Sequence, residues 1–201
     1  VGGDKSKKAS DLRSIRWERS FKWKPPQYNT IDFLVEVKKQ DGKEQIQHMI
    51  KDDPSNQKIV QYKTLILHCG FNAKESSMNP FNDMLHDKVP EKKSRDYGDT
   101  RDDYKPYPFQ PTVPYDAQAH LCYVPLDFDN TGTLQMKTTE TKDNFHDNMI
   151  VEFAYEKDEE SVDGPWRWKP LRVRYDKITK LINGERMYGN HFDTANSNWR
   201  S

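Results

Sequence analysis

The stretch Trp166-Arg167-Trp168-Lys169-Pro170-Leu171-Arg172-Val173-Arg174-Tyr175-Asp176-Lys177 carries most of what this 201-residue chain says about its fold. From Leu171 onward apolar and charged residues alternate. A strand there puts Leu171, Val173 and Tyr175 on a core face and Arg172, Arg174 and Asp176 on the opposite one. Two guanidinium forks two residues apart on a rigid strand suit a polyphosphate, because each holds two oxygens in a fixed plane. The same pattern also suits an ordinary amphipathic strand with a solvated charged face.

Working outward, Ile31 to Val37, Ile59 to Cys69, His120 to Phe128 and Met149 to Tyr155 also read as strands, rich in β-branched, aromatic and aliphatic residues. Asp41-Gly42 and Asn130-Thr131-Gly132 supply turn chemistry. With 167–175 this makes five principal strands and almost no long amphipathic helix. The expected class is therefore mainly β: an oligonucleotide/oligosaccharide-binding (OB) fold, a five-stranded Greek-key barrel that tolerates a long irregular insert, with short helices. The insert is placed at about 72–118, where prolines and charges break every period. Its aromatics Tyr104, Tyr107, Phe109 and Tyr115 are expected to pack back on the body, the competing use being a base-stacking platform. Residues 1 to about 20 read as a glycine-led, basic connecting arm and 183–201 as a polar C-terminal tail or linker.

Composition narrows the function classes. Lys+Arg and Asp+Glu both number 32, so no net charge draws the chain to nucleic acid and any basic surface is local. Mean hydropathy is −1.09, yet aromatics reach 12%, which points to a compact core with polar excursions. The cysteines Cys69 and Cys122 lie in apolar runs and read as free buried thiols, with a disulfide between them left open. Six scattered histidines lack metal-ligand spacing. Apolar runs stay well short of a membrane span, and the start Val1-Gly2-Gly3 resembles neither a signal peptide nor a natural start.

A resemblance sharpens the charged stretch. Phe21-Lys22-Trp23-Lys24-Pro25-Pro26 with Asn29-Thr30-Ile31-Asp32-Phe33 resembles the fifth signature motif of the covalent nucleotidyltransferases, in the form used by mRNA capping enzymes. Arg172-Val173-Arg174-Tyr175-Asp176-Lys177 is similar to that superfamily's sixth motif, and the order along the chain is correct. The spelling, the insert and the closing Thr194-Ala195-Asn196-Ser197-Asn198-Trp199 look most like capping enzymes of large cytoplasmic DNA viruses.

The resemblance implies part of an mRNA guanylyltransferase, which moves GMP from GTP through a lysine–GMP intermediate to a 5′-diphosphate RNA end. Residues 1–28 would be the tail of a nucleotidyltransferase domain, 29–182 the OB domain, and 183–201 a link to a cap methyltransferase domain such as commonly follows in these proteins. Lys22 and Lys24 would hold the α-phosphate, with Arg172, Arg174 and Lys177 on the β- and γ-phosphates and Asp176 orienting them. GTP, the RNA 5′ end and the upstream domain are the implied partners, with no membrane. A divalent cation, Mg or Mn, would travel mainly on the GTP phosphates rather than in a protein-held site. The implied location is the host cytoplasm, in viral factories, or the virion, without secretion.

The family's nucleophile string, Lys-x-Asp-Gly, occurs as Lys39-Gln40-Asp41-Gly42, but downstream of the fifth motif, where a hairpin turn explains it better. The covalent lysine is therefore expected upstream of Val1, leaving this chain inactive alone. The rival, from another class, is a noncatalytic OB module that binds single-stranded RNA or a protein partner.

Overall fold

A computed structural model describes residues 29–53, 56–72, 104–157 and 163–201. Among the described residues eleven strands run in chain order: β1 Thr30–Val37, β2 Lys39–Gln40, β3 Lys43–Glu44, β4 Gln47–Asp53, β5 Asn56–Asn72, β6 Tyr104–Pro108, β7 Leu121–Phe128, β8 Leu134–Lys137, β9 Asn144–Phe145, β10 Ile150–Tyr155 and β11 Trp168–Val173. Two short α-helices follow β11 among the described residues, α1 Tyr175–Ile182 and α2 Phe192–Arg200.

The five long strands expected from the sequence form the path β11-β10-β1-β5-β7, all antiparallel. The first three, β1, β5 and β7, are neighbours in sequence order, and the fourth, β10, returns to lie beside the first. That is a Greek key. The two ends of the path nearly meet. Trp168 Nε1 on β11 donates to the Ala119 carbonyl just before β7 (2.9 Å), and the backbone N–H groups of Thr139 and Glu140 donate to the Pro170 and Leu171 carbonyls on β11's outer edge (2.7 and 3.1 Å). A nearly closed, barrel-like sheet with short helices is consistent with the OB fold.

Alternation sets what is inside. Ile31, Phe33, Val35 and Val37 of β1, Leu65, Leu67 and Cys69 of β5, and Cys122 and Val124 of β7 are essentially inaccessible, while their strand neighbours face outward. Phe33 sits at the centre, its ring 5.2 Å from Phe109, 5.3 Å from Trp168 and 6.0 Å from Phe153. Asp41 and Gly42 take φ of 52° and 76° between β2 and β3, the left-handed geometry of a tight hairpin turn, which accounts for Lys39-Gln40-Asp41-Gly42 as local structure. Cys69 and Cys122 are buried free thiols. Leu65 rather than Cys69 faces Cys122, so the two cysteines are offset by four residues, about 13 Å along the sheet and beyond disulfide reach.

Part of the 72–118 excursion packs back on the barrel. Tyr104–Pro108 pairs with the end of β5, Phe109 is fully buried, Tyr107 lies 5.3 Å from Phe71, and Tyr104 stacks on His191. Tyr115 instead stays exposed. Residues 73–103 lie outside the described ones.

The segment read as a polar tail is structural. Gly189, Asn190 and His191 wedge between β1 and β5 where those strands splay, bridging Phe33 on one side and Gly70 on the other. Gly189 needs its φ of +85°, and a Cβ there would overlap the Asp32 carbonyl. Helix α2 then buries Phe192, Ala195 and Trp199, with Trp199 4.6 Å from Tyr155 and its Nε1 donating to the Pro114 carbonyl (2.8 Å). Asn, Ser and Asp dominate this helix by count, and a few apolar residues at helical spacing carry its packing.

Candidate functional site

Strand register assembles a row of charged side chains across three neighbouring strands. Asp32 on β1 lies opposite Glu152 on β10, and Glu152 lies opposite Arg172 on β11. Two carboxylates facing each other across a strand pair repel unless cations intervene. Arg172 Nε meets Glu152 Oε2, while Thr30 Oγ1 donates to Glu152 Oε1 (2.5 Å). Burial alone would raise the Glu152 carboxyl, but the hydrogen bonds from Thr30 and Arg172 outweigh it and hold the group below its ordinary value.

Asp32 is matched by a different pair. Arg174 Nη1 and Lys177 Nζ donate to the same oxygen, Asp32 Oδ2, at 2.5 and 2.6 Å. Arg174 also forks onto Asp176, Nε to Oδ1 at 3.0 Å and Nη2 to Oδ2 at 2.9 Å. Those Asp176 bonds are the first reason the Arg174 guanidinium is raised, with Asp32 adding to them; in return they hold the Asp176 carboxyl at about 2. The Asp32 backbone is pinned as well, its N–H donating to Asn190 Oδ1 and its carbonyl accepting from Asn190 N, both at 2.7 Å.

Arg172 and Arg174 flank the inward Val173 and reach the facing Glu152 and Asp32, but Arg174 lies beyond the strand's end, and the core face upstream differs from strict alternation. A bulge opposite Glu152 and Phe153 shifts the phase of β11, so Trp168 and Pro170 point inward, then Val173 does, and Leu171 is only half-buried. The strand ends at Val173. Arg174 caps helix α1, its carbonyl accepting from the N–H groups of Lys177 and Ile178 at 3.0 Å, and Tyr175 is exposed rather than core. The chain's turn, not strand alternation, brings Arg174, Asp176 and Lys177 together.

Of the residues singled out from sequence, Arg172, Arg174, Asp176 and Lys177 therefore gather in one network, and Lys22 and Lys24 lie outside the described residues. Asp32, Glu152, Thr30 and Asn190 were missed. A signal for the first two existed, because an acidic residue inside Ile31-Asp32-Phe33 or Val151-Glu152-Phe153 interrupts an apolar run, and buried carboxylates are uncommon unless paired.

Three cations, Arg172, Arg174 and Lys177, thus face three carboxylates, Asp32, Glu152 and Asp176, so the network is charge-balanced. Its accessible members are Arg172 and Asp176, 52% and 62% exposed, whereas Lys177 and Asp32 are largely covered. An incoming anion would meet Arg172 first and would compete with Asp176 for Arg174.

The chain is similar to a probable mRNA-capping enzyme of Acanthamoeba polyphaga mimivirus. Identity is 24% over 191 residues, which is 90% of this chain and 12% of that relative, so the chain spans about an eighth of the viral protein's length. No family model matches the chain, and no solved structure matches it. Similarity to a stretch of a viral capping enzyme agrees with the motif resemblance at that level, and no helix among the described residues is long and apolar enough to cross a membrane.

Elsewhere two of the chemistry-bearing side chains singled out by the sequence have structural partners. Lys39 Nζ bonds Asp147 (2.6 Å). Asp129 Oδ1 accepts from the Thr131 and Thr133 N–H groups and from Thr131 Oγ1, a turn capped by its own carboxylate rather than a cation loop. Among the described residues no three His, Cys, Asp or Glu side chains are grouped as metal ligands.

Proposed function

We propose that this chain is the OB-fold part of an mRNA guanylyltransferase and supplies the lid that holds the pyrophosphate end of GTP. The observation that carries the reading is the convergence of Arg172, Arg174 and Lys177 on one edge of the barrel, at the positions that resemble the sixth nucleotidyltransferase motif. Similarity to a stretch of a capping enzyme supports it.

In the reaction, a lysine amine of an upstream domain attacks the α-phosphorus of GTP. A P–N bond forms, the bond to the bridging oxygen breaks, and pyrophosphate leaves with its divalent cation. The β-phosphate oxygen of a 5′-diphosphate RNA then attacks the phosphoramidate and releases the lysine. Arg172 and Arg174 neutralise the charge that develops on the departing phosphates, a task for fixed forks. Asp32 and Glu152 hold those forks in place before the nucleotide arrives, and Asp176, exposed, gives way to phosphate. Lys22 and Lys24 complete the cradle at the α-phosphate. Closure of the lid completes the first step, and opening lets RNA enter.

The test is enzyme–GMP formation in the full-length protein. Arg172→Ala is expected to lower it by at least about ten-fold, the scale of losing one charge-stabilising donor, and unchanged labelling would sink the role of that arginine. The 201-residue chain alone, given labelled GTP and Mg or Mn, is expected to form no covalent adduct; a labelled band lost in Lys39→Ala would overturn that.

A further inference from the structure

We propose that the free edge of β4 pairs antiparallel with β4 of a second copy of this chain, so that two barrels associate through one shared ribbon. The inference does not depend on the guanylyltransferase reading. Among the described residues β4 pairs with β5 alone, from Gln47↔Tyr62 to Asp53↔Asn56. These two strands form an arm roughly 20 Å long beyond the end of β1. A two-stranded ribbon holds itself weakly in water, and its edge offers unpaired N–H and C=O groups to another strand. Among the described residues, Ile46, Met49, Ile50 and Ile59 are four of the nine large apolar side chains left exposed, so this arm is where a polar chain shows most apolar surface.

Register fixes which backbone groups are free. The Thr64 carbonyl accepts from Lys38 N, so even-numbered residues of β5 turn their backbone groups toward β1 and β4. Their partners Gln47, Met49, Lys51 and Asp53 are thereby bonded within the arm, and His48, Ile50 and Asp52 turn N–H and C=O outward. Two identical strands centred on Ile50 use all three: Ile50 exchanges hydrogen bonds with its own copy, and His48 does so with Asp52 on either side. This register also sets Gln47 opposite Asp53 and Met49 opposite Lys51, so no like charges meet. Registers centred on Lys51 or Asp52 would put a charge against itself. Ile50 and Ile59 lie directly opposite each other in the arm, 62% and 65% exposed, and the pairing extends them into one apolar row across four strands. The arm's other edge is less open, because β7 continues to Phe128 past its last pair with β5, Tyr62↔Pro125. Ile59 stands nine residues along β5 from His68, the partner of Leu34, so about 30 Å of strand separates the contact from the Asp32 network and leaves Arg172 open.

The experiment is sedimentation velocity of the 201-residue chain over a concentration series. A monomer–dimer equilibrium is expected with a dissociation constant of about 10–100 μM, in keeping with a contact below standard interface size. Ile50→Pro removes an outward N–H while leaving the bonds to β5, and Ile50→Lys sets an ammonium against its own copy; each is expected to weaken the dimer at least about ten-fold. Ile50→Lys stands in if the proline variant fails to melt cooperatively. Ile50→Cys is expected to cross-link two chains on mild oxidation, because a hydrogen-bonded antiparallel pair holds its Cα atoms about 5.5 Å apart. His48→Cys, four residues out of register with its own copy and about 13 Å away, is expected not to. A monomer at about 1 mM, well above that constant, overturns the proposal and leaves the edge to a strand of a different protein. A dimer that the Ile50 variants leave intact, or one in which His48→Cys cross-links as readily as Ile50→Cys, also overturns it. No readout involves GTP, so the outcome is independent of whether Arg172→Ala affects enzyme–GMP formation.

Discussion

Asp32 on the first strand and Arg174 after the last are joined across 142 residues by a 2.5 Å hydrogen bond between Oδ2 and Nη1. Lys177 shares that oxygen, so one buried carboxylate fixes two cations. Asp32→Asn is expected to destabilise the chain by about 2–3 kcal/mol, the cost of leaving charged donors in a covered site without their counter-charge. The check is the urea midpoint at unchanged m-value.

Arg172 differs because its side chain is half exposed and Glu152 keeps the bond from Thr30 when Arg172 is removed. Arg172→Ala should cost no more than about 1 kcal/mol of stability. Any large loss of GMP transfer in that variant would then reflect chemistry rather than unfolding, and a collapse of the thermal melt would contradict the assignment.

Gly189→Ala should disturb the same network from the backbone side, since a Cβ would overlap the Asp32 carbonyl and φ is +85°. The expected outcome is a loss exceeding about 1 kcal/mol, with faster amide exchange at Asp32 and Phe33. Native-like exchange at those two positions would count against the wedge as their support.

Stability should fall as pH drops, in two stages. His68 and His120 are both held below the ordinary 6.5, burial being the first cause in each, against the opposing pull of Glu36 on His68 and Asp116 on His120. The unfolded chain therefore binds protons first, and stability is lost as pH falls from 6.5 toward the depressed folded values. Asp147 and Glu152 are also depressed: burial opposes this, but the Lys39 and Val37 hydrogen bonds win at Asp147, and those from Thr30 and Arg172 win at Glu152. Their contribution is complete above their ordinary values of 3.8 and 4.5 and is lost as pH falls through the depressed ones. Urea midpoints at pH 7.5, 6.0, 5.0, 4.0 and 3.0 test both stages, and His68→Asn should flatten the upper one. A midpoint constant from 7.5 to 5.0 would refute the histidine contribution.

Burial pushes the Cys69 thiol up to about 12 and raises Cys122 as well. Neither should react with an aromatic disulfide reagent at pH 8 until the protein unfolds, when both should. Rapid native-state reaction of either thiol would show that β5 or β7 opens locally.

Much of the barrel was legible because strand alternation is local. Five strands, the Asp41-Gly42 turn and the inward phases of β1, β5 and β7 follow from residues one or two apart, and so did the grouping of Arg172, Arg174, Asp176 and Lys177, which are near neighbours in sequence. The phase of β11 upstream of Arg172 and the end of that strand were not legible. The bulge that shifts β11 arises from pairing with β10, and the helix that starts at Tyr175 ends the alternation. Nor could composition show that 183–201 belongs to the core, because three apolar residues of α2 do the packing while polar residues dominate the count.

The sequence by itself therefore determined the strands, their inward faces and the presence of a cationic cluster. Only the tertiary structure decided what that cluster faces. Asp32, Glu152 and Arg172 form a row because β1, β10 and β11 lie side by side; β10 and β11 are consecutive, but β10 reaches β1 only through a Greek-key path linking residues more than a hundred positions apart. No local pattern encodes such a neighbour, since it is selected by burial of the barrel as a whole.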